Sequence, residues 1–334
     1  MKRREFITLL GGAAASISTA RAQQPAKIKR IAIVSPSEPV ANLVASYHPF
    51  YGAFFGELSR LGFVEGKNLV VERYSAAGLP DRFAALAREV VDTHPDAIYA
   101  LSSFQGLAFK AATTTIPIVC VTSDPVAAGL VSNIARPGGN ITGSSADTGF
   151  EIWGKRIGLL KEALPKLSNI FMIAEKTARW EGPFGTAVRQ AATAASIALN
   201  AAFLDGKLDE AAYQRVFAAL EQDRPDALLV SDYSGHLNNS GTIVELAAKH
   251  RLPAMYAYRL VVEIGGLMSY GGDLEALGRS AGYQMGQILN GANPGDIPFN
   301  QVTRLELAIN LETARALGIE FPATLLGSAD LVVE

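Results

Sequence analysis

Hydroxyl and amide side chains gather immediately after the apolar, β-branched runs of this chain. Ser35 and Ser37 follow Ile31–Val34; Ser102, Ser103 and Gln105 follow Ala97–Leu101; Thr122, Ser123 and Asp124 follow Ile118–Val121. Hydroxyls and exposed backbone amides at helix starts suit the hydrogen bonding of a small anion such as a carboxylate. Two acids stand in similar positions, Asp124 before Pro125 and Asp232 within Ser231-Asp232-Tyr233-Ser234-Gly235. Either can pair with an ammonium group. Aromatics cluster at the same places: Tyr47, Phe50, Phe104, Trp180, Tyr233, Tyr256 and Tyr258. An aromatic face buries much area with few rotors, so these residues can form a stacking wall. The expected ligand-binding set is Ser35, Ser37, Tyr47, Ser102, Ser103, Gln105, Thr122, Asp124, Trp180, Asp232, Tyr233 and Tyr256. The chemistry it implies is reversible capture of a small carboxylate with an apolar or aromatic body, an amino acid first. Each residue also has an ordinary use, as a helix cap for the serines and Asp232 and as core or rim for the aromatics.

Bond-making chemistry finds less support. Gly149 to Lys155 has the spacing of a phosphate-binding loop, but position 156 is Arg156 where a hydroxyl is needed, and Ile152 and Trp153 crowd the cradle. That stretch reads as the start of a Phe150–Leu164 helix. There is no G-x-G-x-x-G after a first strand and no G-x-S-x-G elbow. His48, His94, His236 and His250 lack metal-ligand spacing, and His94 and His250 stand at predicted helix ends. Neither a metal nor a cofactor is expected, and no nucleophile–base pair is visible.

The elements that must position the binding groups alternate along the chain. Probable strands are Ile31–Val34, Leu69–Tyr74, Ala97–Leu101 and Ile118–Val121, then Ile170–Ala174, Ala201–Leu204, Ala227–Ser231, Ala254–Tyr256 and Leu267–Tyr270. Amphipathic helices fall between them, including Asp81–Thr93, Gly185–Leu199, Asp209–Gln222 and Leu274–Leu289. The two series echo one another. Phe83-Ala84-Ala85-Leu86 leads to Pro95-Asp96-Ala97-Ile98, as Phe217-Ala218-Ala219-Leu220 leads to Pro225-Asp226-Ala227-Leu228. The expected fold is α/β: two similar Rossmann-like lobes with parallel sheets, joined by a hinge and lining a cleft with their strand-end loops. The expected boundaries are a leader over 1–22, a first lobe with the hinge crossing over 23–140, a second lobe over 141–300, and a return crossing over 301–334. Gly138-Gly139-Asn140-Ile141-Thr142-Gly143 is the expected link, and Leu305–Asn310 the return strand.

The first 22 residues have the three-part build of a secretory signal: Lys2, Arg3 and Arg4, an apolar run from Phe6 to Ile17, and the exit Ala20-Arg21-Ala22. Arg3-Arg4-x-Phe6-Ile7 is similar to a twin-arginine signal. Cleavage after Ala22 predicts a soluble periplasmic protein beginning at Gln23. The whole chain carries a net charge of −2, and loss of the basic leader makes the mature protein more acidic. A mildly acidic chain with dispersed basic residues has no electrostatic footprint for nucleic acid. Cys120 is the one cysteine, so no intrachain disulfide forms, and its apolar surroundings predict an inert core thiol.

The chain also resembles a family. Leu61-Gly62-Phe63-Val64-Glu65-Gly66-Lys67-Asn68, Lys110-Ala111-Ala112-Thr113 before Ile116-Pro117-Ile118-Val119, and Asp124-Pro125-Val126 through Gly129-Leu130-Val131 carry the likeness. Ala135-Arg136-Pro137-Gly138-Gly139-Asn140-Ile141-Thr142-Gly143, Gly265 to Gly271 and Ile309-Asn310-Leu311-Glu312-Thr313-Ala314 extend it. Together they resemble ABC-transporter substrate-binding proteins of the type I periplasmic-binding fold, in the branch of tryptophan- and tyrosine-type binders. The resemblance implies two hinged lobes that close on a small ligand and dock, as a monomer, on an ABC permease in the inner membrane. Two cleft-side loops depart from the family pattern: Leu101-Ser102-Ser103-Phe104-Gln105 replaces a Gly-Thr-Pro start, and Glu175-Lys176-Thr177-Ala178-Arg179-Trp180 replaces an Asn-Pro-rich loop. The transport role therefore carries over more firmly than any one ligand. The rival expectations are an exported α/β enzyme such as a hydrolase, or a ligand sensor docking to a receptor.

Overall fold

The computed structural model describes residues 28–122, 124–145, 149–175, 178–204, 208–301 and 303–334. The leader with Arg3-Arg4, as well as Ser123, Lys176 and Thr177, lies outside them. The first lobe contains β1 (Lys29–Ser35), α1 (Pro49–Arg60), β2 (Leu69–Ser75), α2 (Phe83–Asp92), β3 (Ala97–Ala100), α3 (Ser103–Ala112), β4 (Ile118–Thr122) and β5 (Ile141–Ser145). There follow α4 (Glu151–Ala163), β6 (Asn169–Glu175), α5 (Ala178–Glu181), α6 (Pro183–Ala194), β7 (Ala198–Leu204), α7 (Glu210–Asp223) and β8 (Ala227–Val230). Next come α8 (Ser234–Asn238), α9 (Ser240–Lys249), β9 (Ala254–Tyr256), α10 (Arg259–Glu263) and β10 (Met268–Gly272). The chain ends with α11 (Leu274–Leu289), β11 (Asn300–Gln301), β12 (Leu305–Asn310), α12 (Leu311–Leu317), α13 (Ala323–Gly327) and β13 (Leu331–Val333).

The doubled module of the sequence is a doubled topology. One sheet runs β11-β5-β4-β3-β1-β2 and the other β13-β12-β10-β9-β8-β6-β7. Stripped of their late additions, both follow the same order, with the fifth strand at one edge and the second at the other. Every described strand pair is parallel except β10 with β12. Central strands β3 and β8 are buried along their whole length, as strands covered by helices on both faces must be.

The Pro-Asp repeat has a physical basis. The Asp96 carboxylate accepts from Arg30 N at 2.9 Å, and that of Asp226 accepts from Asn169 N at 3.0 Å, so each aspartate fastens the start of the lobe's first strand. The residues before the two prolines, His94 and Arg224, both take a left-handed backbone (φ 53° and 41°) that ends the preceding helix.

The sequence and the structure part company at the crossings. Ile141–Ser145, the expected hinge and start of the second lobe, is β5 of the first sheet, so the chain leaves that lobe after Ser145. Helix α11 lies within the 141–300 span yet packs on α1 of the first lobe. Its glycines permit the approach: a Cβ at Gly278 would stand 2.1 Å from the Phe50 carbonyl oxygen, and one at Gly282 2.5 Å from that of Phe54. Gln284 then ties α11 to β5, its Nε2 donating to Gly143 O at 2.7 Å and to Pro298 O at 3.0 Å. The chain thus crosses three times, after Ser145, between Gly272 and Leu274, and between Gln301 and Leu305. The predicted Gly185–Leu199 helix also stops early, at Ala194, because Ser196 turns left-handed (φ 57°) and Ala198 begins edge strand β7. Among the described residues, no helix is long and apolar enough to cross a membrane.

Candidate functional site

In the first lobe the carboxyl ends of β1, β3 and β4 form one polar surface. Ser35, buried at the end of β1, accepts from Glu38 N at 2.8 Å and from Ser37 N at 3.3 Å, turning the chain sharply away from the strand. That turn buries Glu38, and Tyr51 of α1 donates to its carboxylate at 2.5 Å. Burial, opposed by the Tyr51 hydrogen bond, raises the Glu38 carboxyl above its ordinary range. Tyr47 stands beside it, 43% exposed, its phenol raised first by burial and then by the Glu38 charge.

Two residues beyond the end of β3, Ser102 caps α3 by accepting from Gln105 N at 3.2 Å. Ser103 shares a 2.6 Å hydrogen bond with Thr122 at the end of β4, so two of the predicted hydroxyls meet directly. Gln105 is buried beneath them, on the inner face of α3. Asp124 accepts from Val126 N at 2.8 Å and Ala127 N at 3.0 Å. One of its oxygens is therefore committed to a turn.

The second lobe presents Asp232 and Tyr233 after β8. Tyr258 donates to the Asp232 carbonyl at 3.4 Å, and the Tyr233 ring meets His236 edge-on at 5.7 Å. His236, 1% exposed, lies against Tyr213, whose hydroxyl is 2.9 Å from its Nδ1. Burial pushes this imidazole down to about 4, against a smaller upward pull from the Asp232 charge. His48, which caps α1 by accepting from Phe50 N, is likewise lowered to about 4 by burial.

The remaining two predicted wall residues are placed differently. Tyr256 is 2% exposed within the second lobe's core, packed with Leu228, Val230 and Val261. Trp180 lies against Phe184 and Phe203, with Arg189 over its ring at 5.3 Å. Tyr256 stands inside an apolar cluster of the second lobe, and Trp180, half-buried, packs against the edge of another.

A hydrogen bond between described residues joins the two strand-end surfaces. Asn238 of α8 donates through Nδ2 to the Ser37 hydroxyl at 3.2 Å, across 201 residues of sequence. Asn238 and Glu38 are the residues of this surface that sequence reasoning missed. Glu38 carried a usable signal, three residues after Ser35 on a strand-end loop. Asn238 carried none, because its role exists only once the lobes face each other.

The chain is similar to known proteins along most of its length. Residues 46–333 match the family model described as ABC transporter substrate binding protein. A protein of Clostridioides difficile named tyrosine-binding protein is 26% identical over 281 residues, 80% of this chain and 76% of that one. Among solved structures, a conserved domain protein from Vibrio cholerae aligns over 92% of this chain and 100% of its own, with 25% identity and a TM-score of 0.76. The ABC domain of Streptococcus pneumoniae in complex with L-Trp aligns over 91% of this chain and 99% of its own, with 21% identity and a TM-score of 0.75. The match spans the greater part of both lobes, and the chain belongs to the family of ABC transporter substrate-binding proteins.

Proposed function

We propose that this family member captures a small carboxylate ligand, an amino acid with an aromatic body foremost, between its lobes and delivers it to an ABC permease from the periplasmic side. The observation that carries this reading is the pair of strand-end surfaces joined at Ser37 and Asn238. On one side stand the hydroxyls of Ser37, Ser102, Ser103 and Thr122, with Gln105 and Asp124; on the other stand Asp232 and Tyr233. A ligand touching both lobes binds the closed arrangement better than the open one and so shifts the population toward it. Hydrogen-bond donors at the first lobe suit a carboxylate, and an acid at the second suits an ammonium. The names of the tyrosine-binding relative and of the L-Trp complex support an aromatic amino acid as the first choice. In this reading Tyr256 belongs to the core and Trp180 packs against the edge of an apolar cluster, which leaves Tyr47 and Tyr233 as the aromatic walls.

Calorimetric titration of the purified mature protein with L-tryptophan, L-tyrosine and the other amino acids tests the proposal. Saturable heat with an aromatic amino acid is expected. Heat with sugars, peptides or metal ions alone would refute the ligand class.

A further inference from the structure

We infer that Gln105 is a specificity residue of this site, its carboxamide gripping both charged ends of an α-amino acid: Nε2 on the carboxylate and Oε1 on the ammonium. The inference rests on the reading of the cleft as an amino-acid site.

Gln105 is 2% exposed, and among the described residues neither its Oε1 nor its Nε2 has a hydrogen-bond partner. A buried carboxamide offers two donors and an acceptor, and leaving them all unmet is costly enough that native proteins rarely do so. Fold maintenance does not explain the choice of residue. The backbone N–H of Gln105 already serves the Ser102 cap, and the neighbouring inward positions, Gly106 against Cys120 and Phe109 in the core, are filled by groups with no polar demand. An apolar side chain of similar length would fit this face at no cost.

The placement indicates what the amide waits for. Gln105 is the third residue of α3, and helical side chains lean toward the N-terminus of their own helix. For α3 that end is the strand-end surface carrying Ser102, Ser103 and Thr122. The first turn of a ten-residue helix favours negative charge at the same spot. A carboxylate drawn there meets the Nε2 donors, and an α-ammonium two bonds away lies within reach of Oε1. A ligand with only one of these groups would leave half of the buried amide unmet, which is how a site rejects a close analogue.

Gln105→Met keeps the length and removes the polar atoms. Three readings are taken on wild type and variant: melting temperature without ligand, and calorimetric affinity for L-tryptophan and for its des-amino analogue, indole-3-propionate. The melting temperature should rise by about 2 °C or more, because an unmet buried amide is gone. Affinity for L-tryptophan should fall at least tenfold, and the preference for L-tryptophan over indole-3-propionate should shrink by a similar factor. A lower melting temperature in the variant would mean that the amide serves the fold, and would overturn the inference. So would unchanged affinity, or a fall in affinity with the preference intact. If wild type gives no heat with any amino acid, the amino-acid reading fails together with the inference; if wild type binds and the variant binds equally well, the inference about Gln105 fails alone.

Discussion

At the scale of single residues, the candidate site is ringed by ionisable groups that burial has moved away from their ordinary behaviour. His236 is held neutral in the folded protein, its value lowered to about 4, whereas in the unfolded chain it takes a proton near 6.5. Its contribution to stability is therefore present above about pH 6.5 and is lost as pH falls toward 4, by up to about 3 kcal/mol. His48 acts in the same direction. Thermal melts between pH 7 and 4.5 should show a steep fall for wild type and a shallower one for His236→Gln. Glu38 acts oppositely: its raised carboxyl contributes stability at low pH that is lost as pH rises through its folded value. Glu38→Gln should therefore raise the melting temperature more at pH 7 than at pH 4. Part of the placement was legible in the sequence, since Ser103 and Thr122 meet at strand ends and Ser102 caps the helix that carries Gln105. Tyr256 was not separable from a cleft aromatic, because strand-end position alone does not say whether a ring turns toward the cleft or into the core behind it.

At the scale of elements, the strands were readable because parallel strands buried on both faces are written as short unbroken apolar runs. β9 and β12 fall on the predicted residues, Ala254–Tyr256 and Leu305–Asn310, and α11 on Leu274–Leu289. What the sequence concealed was partnership. Nothing local marks Ile141–Ser145 as a strand beside β4 instead of a linker, and nothing in α11 declares that it packs on the opposite lobe. The glycines at 278, 282 and 286 are the nearest thing to a sign, a stripe at four-residue spacing on one helix face. Gly282→Leu should force α11 off α1 and lower stability by about 2 kcal/mol or more in urea denaturation, whereas Gly241→Ala, in open space on α9, should be near neutral. Three asparagines of the motifs that carried the family resemblance prove to be scaffolding. Asn68 clasps the turn at Gly62 and Val64, Asn140 holds the Thr113 and Ile116 carbonyls, and Asn310 caps α12. Asp124, in another of those motifs, stands instead at the candidate site.

At the scale of the whole molecule, the lobes touch through Ser37 and Asn238, and the hinge carries a second bridge in which Arg259 of the second lobe pairs with Glu275 at 3.3 Å. Asn238→Ala removes the cleft contact without touching either core. The unliganded protein should then open further, seen as a larger radius of gyration by small-angle scattering, and ligand affinity should weaken severalfold, as loss of about 1 kcal/mol in the closed form requires. Export has its own test. Mass spectrometry of the protein recovered from the periplasm should find Gln23 at its N-terminus, and replacing Arg3 and Arg4 with lysine should retain the precursor inside the cell if the twin-arginine route is used.

The three crossings set an order of events during synthesis. The first sheet lacks β11, and α1 lacks its partner α11, until residues 274–301 have left the ribosome. Through most of translation, the apolar face of α1 around Phe50 and Phe54 can rest on Tyr99 of β3 but lacks the cover of α11. The first half is thus completed only by residues near the end of the chain, shortly before β12 and β13 complete the second, and a nascent chain of this protein offers chaperones a long interval in which its first half is still incomplete.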